Sequence, residues 1–398
     1  MASGEARERG RIWKRLDGVD GVRGLAIFFV LMNHVNMRLR IGGVPWTKGL
    51  PEQLVSSLVW NGQRGVQIFF ALSGFLIAST AIRRWGSLSR VNIRDFYLLR
   101  FARIAPLMLL LLAVLTILDL VHLKYFTISP KTGGLGRALL AALTFHVNVL
   151  EARRGYLPAN WDILWSLSVE EVFYLFFPLV CRLLGRGKGL IGLLLMFVVL
   201  GPLGRTVFTG GNEVWKEYSY LGGMDAIALG CLTAVLVCGT RFSRSAARGL
   251  GAAGGVLLIF ILCFSTQPFN RMLERNGLDM SIIAIGACMI AAAAAQTRWQ
   301  APRLASPIWR LGERSYEVYL THMFVLFALL EVFVEAGKPM SAVPLFFAAA
   351  ILISGVLGAA VARFYSEPMN RSLRKRFGHG AERLGSVVDD RQLAGSSR

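Results

Sequence analysis

Ten apolar runs, each near the length that crosses a bilayer, constrain this 398-residue chain more than any other feature. They fall at roughly 22–38, 63–82, 104–121, 163–184, 189–207, 218–238, 249–266, 280–297, 313–335 and 342–365, and a shorter apolar stretch lies at 135–150. The fold class this implies is all-α: a polytopic integral membrane protein with about ten transmembrane helices.

The formal net charge of +20 could suggest a nucleic-acid partner, but its placement says otherwise. With ten spans and the N-terminus inside, the inward segments carry 28 Lys and Arg and the outward segments 12, and Arg23, Arg64, Arg205 and Arg363 fall within spans or at their edges. If 135–150 also crossed, the counts would become 17 inside and 23 outside. The positive-inside rule therefore selects ten spans with N- and C-termini cytoplasmic, and makes 135–150 an external interfacial or re-entrant helix. The bilayer is the expected partner of the basic surplus, and nucleic acid is not. A multi-pass protein of the cell (inner or plasma) membrane is expected.

Three segments follow: a cytoplasmic N-terminal segment at 1–16, a membrane domain at 17–366, and a cytoplasmic, partly disordered tail at 367–398. The polar stretch up to Lys14 and the absence of a small-residue cleavage site predict that the first span is retained. Neither a soluble domain nor an internal repeat is expected. The five cysteines show no paired external spacing, so neither a disulfide framework nor a metal site is expected.

Within the first apolar run stand two ionisable residues, Arg23 and His34. Eleven residues at about 100° each bring both to one helical face, about 16 Å apart along the axis. Such groups usually line a cavity and mark function; the competing reading is a snorkelling arginine and a packed histidine. Arg100 and Arg103, an i,i+3 pair before the third span, suit phosphate oxygens, or else serve as positive-inside anchors. Glu170 and Glu171 point about 100° apart, so at most one is expected to address the cavity of His34, where a carboxylate would orient the imidazole. Pairing to an arginine is the structural alternative. Asp225 lies among small residues in the sixth span, and Tyr316, Tyr319 and His322 make a polar stripe on the ninth, which helix packing could also explain.

Five motifs in order carry a resemblance: Leu16-Asp17-Gly18 through Arg23 to His34, Gly65 to Ile77 with Ser73-Gly74 inside it, Arg100-Phe101-Ala102-Arg103, Trp165-Ser166-Leu167-Ser168-Val169-Glu170, and Ser315 to His322. Over roughly 17–365 the chain resembles the membrane-bound acyltransferase 3 family. The resemblance implies ten core helices and transfer of an acyl group, often acetyl from acetyl-CoA, to a hydroxyl of a glycan, lipid-linked sugar or small molecule. It implies that Arg23 and His34 form the functional core, that the Arg-x-x-Arg pair is Arg100 and Arg103, and that the Ser-x-Glu motif is Ser168 and Glu170. Gln67, Thr321 and Glu313-Arg314 depart from the usual pattern and put the acceptor in question more than the chemistry. A fused hydrolase-like domain is not expected after the membrane core.

The combined expectation is a membrane O-acyltransferase with His34 as general base, Glu170 as its orienter, and Arg23, Arg100 and Arg103 on the phosphates of acyl-CoA. Ser73, Ser168, Asp225, Ser315, Tyr319 and His322 are cavity or acceptor candidates. No cofactor is expected to be permanently bound; acyl-CoA is a co-substrate and a hydroxyl-bearing glycan or small molecule the acceptor. The inner position of Arg23 and the outer-half position of His34 predict modification on the external face. The alternative is a transporter or flippase of a glycan or metabolite without covalent chemistry.

Overall fold

The computed structural model describes residues 16–297 and 306–377. The described residues contain helices and no strands. In chain order the helices are α1 (Asp17–Ile41), α2 (Glu52–Val59), α3 (Gly62–Trp85), α4 (Ile93–Leu120), α5 (Gly134–Leu143), α6 (Val147–Arg154), α7 (Ala159–Asp162), α8 (Leu164–Leu184) and α9 (Gly189–Thr206). They continue with α10 (Glu213–Tyr218), α11 (Tyr220–Gly239), α12 (Arg244–Cys263), α13 (Pro268–Arg275), α14 (Asp279–Gln296), α15 (Ser306–Glu313), α16 (Ser315–Glu335) and α17 (Val343–Val361). Among the described residues ten helices are long and apolar enough to cross a membrane, matching the ten expected runs. Helices dominate because hydrocarbon offers no partner to a backbone N–H or C=O, and only a helix satisfies both within one segment.

The stretch 135–150 does not form one helix. It breaks between α5 and α6, where Phe145 takes a φ of 58°. Ten residues of α5 reach only about 15 Å, half of a hydrocarbon core about 30 Å thick. The last span, expected to end at 365, continues as a five-residue π-turn at Ala362–Ser366 and then as helix to residue 377. The first eleven residues assigned to a partly disordered tail are therefore helical, and 378–398 lie outside the described residues, as do 1–15.

Close helix contact is possible where side chains vanish. α3 and α11 make the most extensive interhelical packing, and Gly74 and Gly230 lie at its centre. A Cβ on Gly74 would collide with the Ile227 carbonyl, and one on Gly230 with the Ala71 carbonyl, so each glycine admits the other helix's backbone. Cys231 closes the same contact by donating to the Gly74 oxygen at 3.4 Å.

Buried charge adds direction to this packing. Arg205 on α9 meets Asp225 on α11 at 2.8 Å, while Ser281 on α14 and Gln67 on α3 donate to the same carboxylate at 2.7 and 2.8 Å. Four helices thus converge on one ion pair. Arg64 on α3 similarly meets Asp279 at the start of α14 at 3.2 Å. Removing one member would strand the other in a low-dielectric interior, at a cost of about 3–5 kcal/mol.

Gly230→Val should lower stability by about 3 kcal/mol or more, because the opposing surface is backbone and cannot rotate away. Gly255→Ala, where a Cβ meets open space, should be neutral or stabilising by about 1 kcal/mol through helix propensity. Fluorescence-detected size-exclusion after heating would check both, and equal melting of the two variants would contradict the close α3–α11 contact.

Candidate functional site

Helices α1, α3, α4, α8 and α16 bring most of the expected residues together. A cavity of about 110 Å³ is lined by Arg23 of α1, Ser73 of α3, Ser166 and Glu170 of α8, and Ser315, Tyr316 and Tyr319 of α16, with Phe69 and Phe70 supplying apolar wall. Ser166 and Glu170 share a face of α8 by their i,i+4 spacing, and Tyr174 continues it one turn further. Ser315 is 1% exposed, and its hydroxyl has no partner among the described residues.

His34 and His322 do not line this cavity; they meet one helical turn from Tyr319, which does. Nδ1 of His34 lies 2.7 Å from Nε2 of His322, and the two rings are nearly coplanar, 5° apart with centroids 5.0 Å apart. Nδ1 of His322 lies 2.7 Å from the Tyr319 carbonyl oxygen. A carbonyl only accepts, so that nitrogen carries a hydrogen, and in a neutral ring the opposite Nε2 is a bare lone pair. His34 must therefore donate from Nδ1, which leaves its own Nε2 as the unprotonated nitrogen. His322 is fully buried and His34 only partly, so the available lone pair belongs to the more open ring. Tyr319 links dyad to cavity: its carbonyl fixes His322, while its hydroxyl contacts Ser166 at 2.8 Å and donates to the Ile163 oxygen at 3.0 Å.

This geometry corrects the expected partner of His34. The orienting hydrogen bond comes from His322, 288 positions away, and not from Glu170. Glu170 instead accepts from Ser73 and, at 2.9 Å, from Tyr174. Both adjacent carboxylates reach Arg100: Glu171 at 2.8 Å and Glu170 at 3.8 Å. The Arg100 guanidinium also lies 3.7 Å from the Tyr174 ring centroid.

The three arginines expected to clamp phosphates are consequently unequal. Arg100 is committed within the protein. Arg103 is more open, 34% exposed at its side chain, with Glu317 at 3.8 Å and the Tyr316 ring below it. Arg23 lines the cavity and sits 4.0 Å from Asp20. Two other candidates serve packing. Ser168 accepts the Val147 N–H at 3.1 Å and donates to the Leu164 oxygen, tying α6 to α8, and Asp225 lies in the four-helix ion pair away from the cavity lining. Sequence reasoning overlooked Ser166 and Tyr174, although their spacing around Glu170 was a usable signal.

The short helices α6 and α7 and the turn between them add further polar groups. Asn160 donates to the Leu320 oxygen at 2.7 Å, fastening α7 to α16 two residues from His322. Burial, reinforced by Asp162, pushes the Glu151 carboxyl well above the usual carboxylate range. Burial also pushes the Tyr156 phenol up to about 12. Tyr156 is thus neutral near pH 7, and Glu151 is held toward its neutral form. The described residues contain no group of three or more His, Cys, Asp or Glu able to hold a metal.

The arrangement matches known proteins in sequence. Residues 16–362 match the family model described as an acyltransferase domain, acyltransferase 3. The peptidoglycan O-acetyltransferase OatA of Listeria monocytogenes is 26% identical over 78% of this chain and 49% of its own length. The O-acetyltransferase OatA of Staphylococcus aureus is 25% identical over 94% of this chain and 60% of its own. The chain thus spans about half to three fifths of the length of these relatives. No solved structure matches it. The match across nearly all the described spans places this chain in the acyltransferase 3 family.

Proposed function

We propose that the protein is a membrane O-acetyltransferase that moves an acetyl group from acetyl-CoA to a hydroxyl of a glycan on the external face of the cell membrane. The observation that carries this reading is the hydrogen-bond chain from the Tyr319 carbonyl through His322 to His34, which leaves a base at Nε2 of His34. The acetyl group is supported by the names of both relatives, and the glycan by the name of the Listeria relative, a peptidoglycan O-acetyltransferase.

In this mechanism His34 Nε2 removes the acceptor hydroxyl proton as the oxygen attacks the thioester carbonyl. The C–O bond forms, the tetrahedral intermediate collapses with cleavage of C–S, and the thiolate leaves with the proton held on His34. The product is an acetyl ester and free thiol, with the imidazole restored. His322 acts as a positioning residue, since its lone pair holds the His34 ring in the productive tautomer. The unpartnered Ser315 hydroxyl supplies a hydrogen bond to an amide of the donor's arm, and Arg23 and Arg103 supply charge for its phosphates. Arg23 lies about 16 Å below His34 along α1, a gap an extended pantetheine arm can span. The inward bias of basic residues supports a cytoplasmic position for Arg23.

His34→Ala should reduce transfer by about 10²–10⁴-fold while the protein still inserts. His322→Phe should approach that loss, whereas His322→Gln should recover much of it, because its amide can accept from His34 and donate to the Tyr319 carbonyl. Equal activities for the Phe and Gln variants would remove the positioning role. Sidedness is checked with sealed vesicles of known orientation carrying labelled acetyl-CoA on the cytoplasmic side and glycan on the other. Labelled glycan is expected; product formation only when both substrates share a face would overturn the transmembrane arrangement.

A further inference from the structure

A second cavity, of about 400 Å³, opens where α2, α10 and α13 surround the ends of α3 and α14. The charge bias assigns this end of the bundle to the external side. Its chemistry differs from that of the catalytic cavity. Four basic and four acidic side chains line it, so its charge is balanced. At the floor, Arg64 is 7% exposed and Asp279 2%, and they pair at 3.2 Å. Arg64 also donates to Asn61 at 3.0 Å, yet its Nε, buried in the same wall, has no partner among the described residues. At the rim, Glu274 is 57% exposed and 3.6 Å from Arg64, and the Trp60 ring is 41% exposed with Arg40 over it.

We propose that this cavity is a saccharide subsite that holds a neutral pyranose of the acceptor glycan a few units from the one acetylated. The proposal rests on the reading of the acceptor as a glycan. Balanced ion pairs suit an uncharged polyol: the carboxylates keep spare lone pairs, and Arg64 and Arg271 keep N–H groups beyond those their ion pairs use, so adjacent sugar hydroxyls can bridge them, while Arg205 is fully bonded within the protein. A phosphate would require a surplus of positive charge that this lining lacks. The indole at the rim provides an apolar face for the C–H side of a sugar ring. Size points the same way, because about 110 Å³ in the first cavity seats little beyond the reacting groups, while 400 Å³ falls in the range of small-molecule sites. Helix α3 joins the two cavities, with Val66 facing one and Gln67 the other, and from Gln67 to Ser73 is about 9 Å along the axis.

The test uses the full chain in lipid nanodiscs and calorimetric titration with the β-1,4-linked tetrasaccharide of N-acetylglucosamine. Wild type and His34→Ala should bind it alike, whereas Trp60→Ala and Glu274→Gln should each weaken binding about tenfold or more. Both rim variants should retain wild-type acetyl transfer from acetyl-CoA to glycerol, which shows that they fold and that the catalytic cavity is intact. Tetrasaccharide affinity unchanged in the rim variants would overturn the assignment, as would no binding by wild type, or tighter binding of inorganic phosphate than of the sugar. Loss of acetyl transfer to every acceptor in wild type, with rim-dependent sugar binding preserved, would instead overturn the proposed reaction and leave the subsite standing.

Discussion

An ion drawn into hydrocarbon requires a counter-ion, and the bundle is organised by where those pairs form. Arg205 and Asp225 join α9 to α11, Arg64 and Asp279 join α3 to α14, and Arg100 and Glu171 join α4 to α8. Each pair ties helices that lipid alone would leave free to slide, since tails are as apolar as the leucines that face them. Glycine contacts then set how closely the helices approach, as at Gly74 and Gly230. With these carboxylates and guanidiniums committed to one another, the two histidines are left to bond each other.

The spans were legible because length and apolarity are local properties. So was the failure of 135–150 to cross, since charge placement and length both opposed it. The partnerships were not legible. Arg23 and His34 could be placed on one face by spacing, but His322 lies 288 positions from His34, and no local period links them. Glu170 looked like the orienter because a carboxylate is the commonest partner of an imidazole; Arg100, Ser73 and Tyr174, on two other helices and one turn along its own, had already claimed it. Asp225 was misread for a related reason. A lone acid among small residues resembles a site residue until Arg205, twenty positions earlier in the chain, is seen beside it. The π-turn at Ala362–Ser366 left no mark in hydropathy, because a change of backbone register alters no composition.

An imidazole partner for His34 has a chemical consequence that a carboxylate partner would not. A carboxylate partner raises the proton affinity of an imidazole, as a neutral imidazole partner does not. A pair of neutral rings carries no net charge. Under the proposed mechanism the positive charge appears on His34 as negative charge appears on the tetrahedral oxygen. The counter-ion then forms with the transition state itself, and an interaction made only there accelerates the step without tightening the ground state.

Under the proposed mechanism the narrow cavity bears on the competing reaction, hydrolysis of the donor. Water is a smaller nucleophile than any sugar hydroxyl, so shape cannot exclude it from a base that activates hydroxyl groups. Exclusion must come from leaving it little room and few partners. Phe69, Phe70, Tyr316 and Tyr319 crowd the lining, and most of its polar groups bond one another: Ser73 with Glu170, and Tyr319 with Ser166. Ser315 is the exception, a single unpartnered hydroxyl. A site with so few free hydrogen-bonding groups holds water poorly until a donor and an acceptor complete it. An enzyme built this way gains selectivity for transfer from the acceptor's binding energy outside the reacting centre, which is the reason to look for sugar-binding surface beyond that narrow cavity.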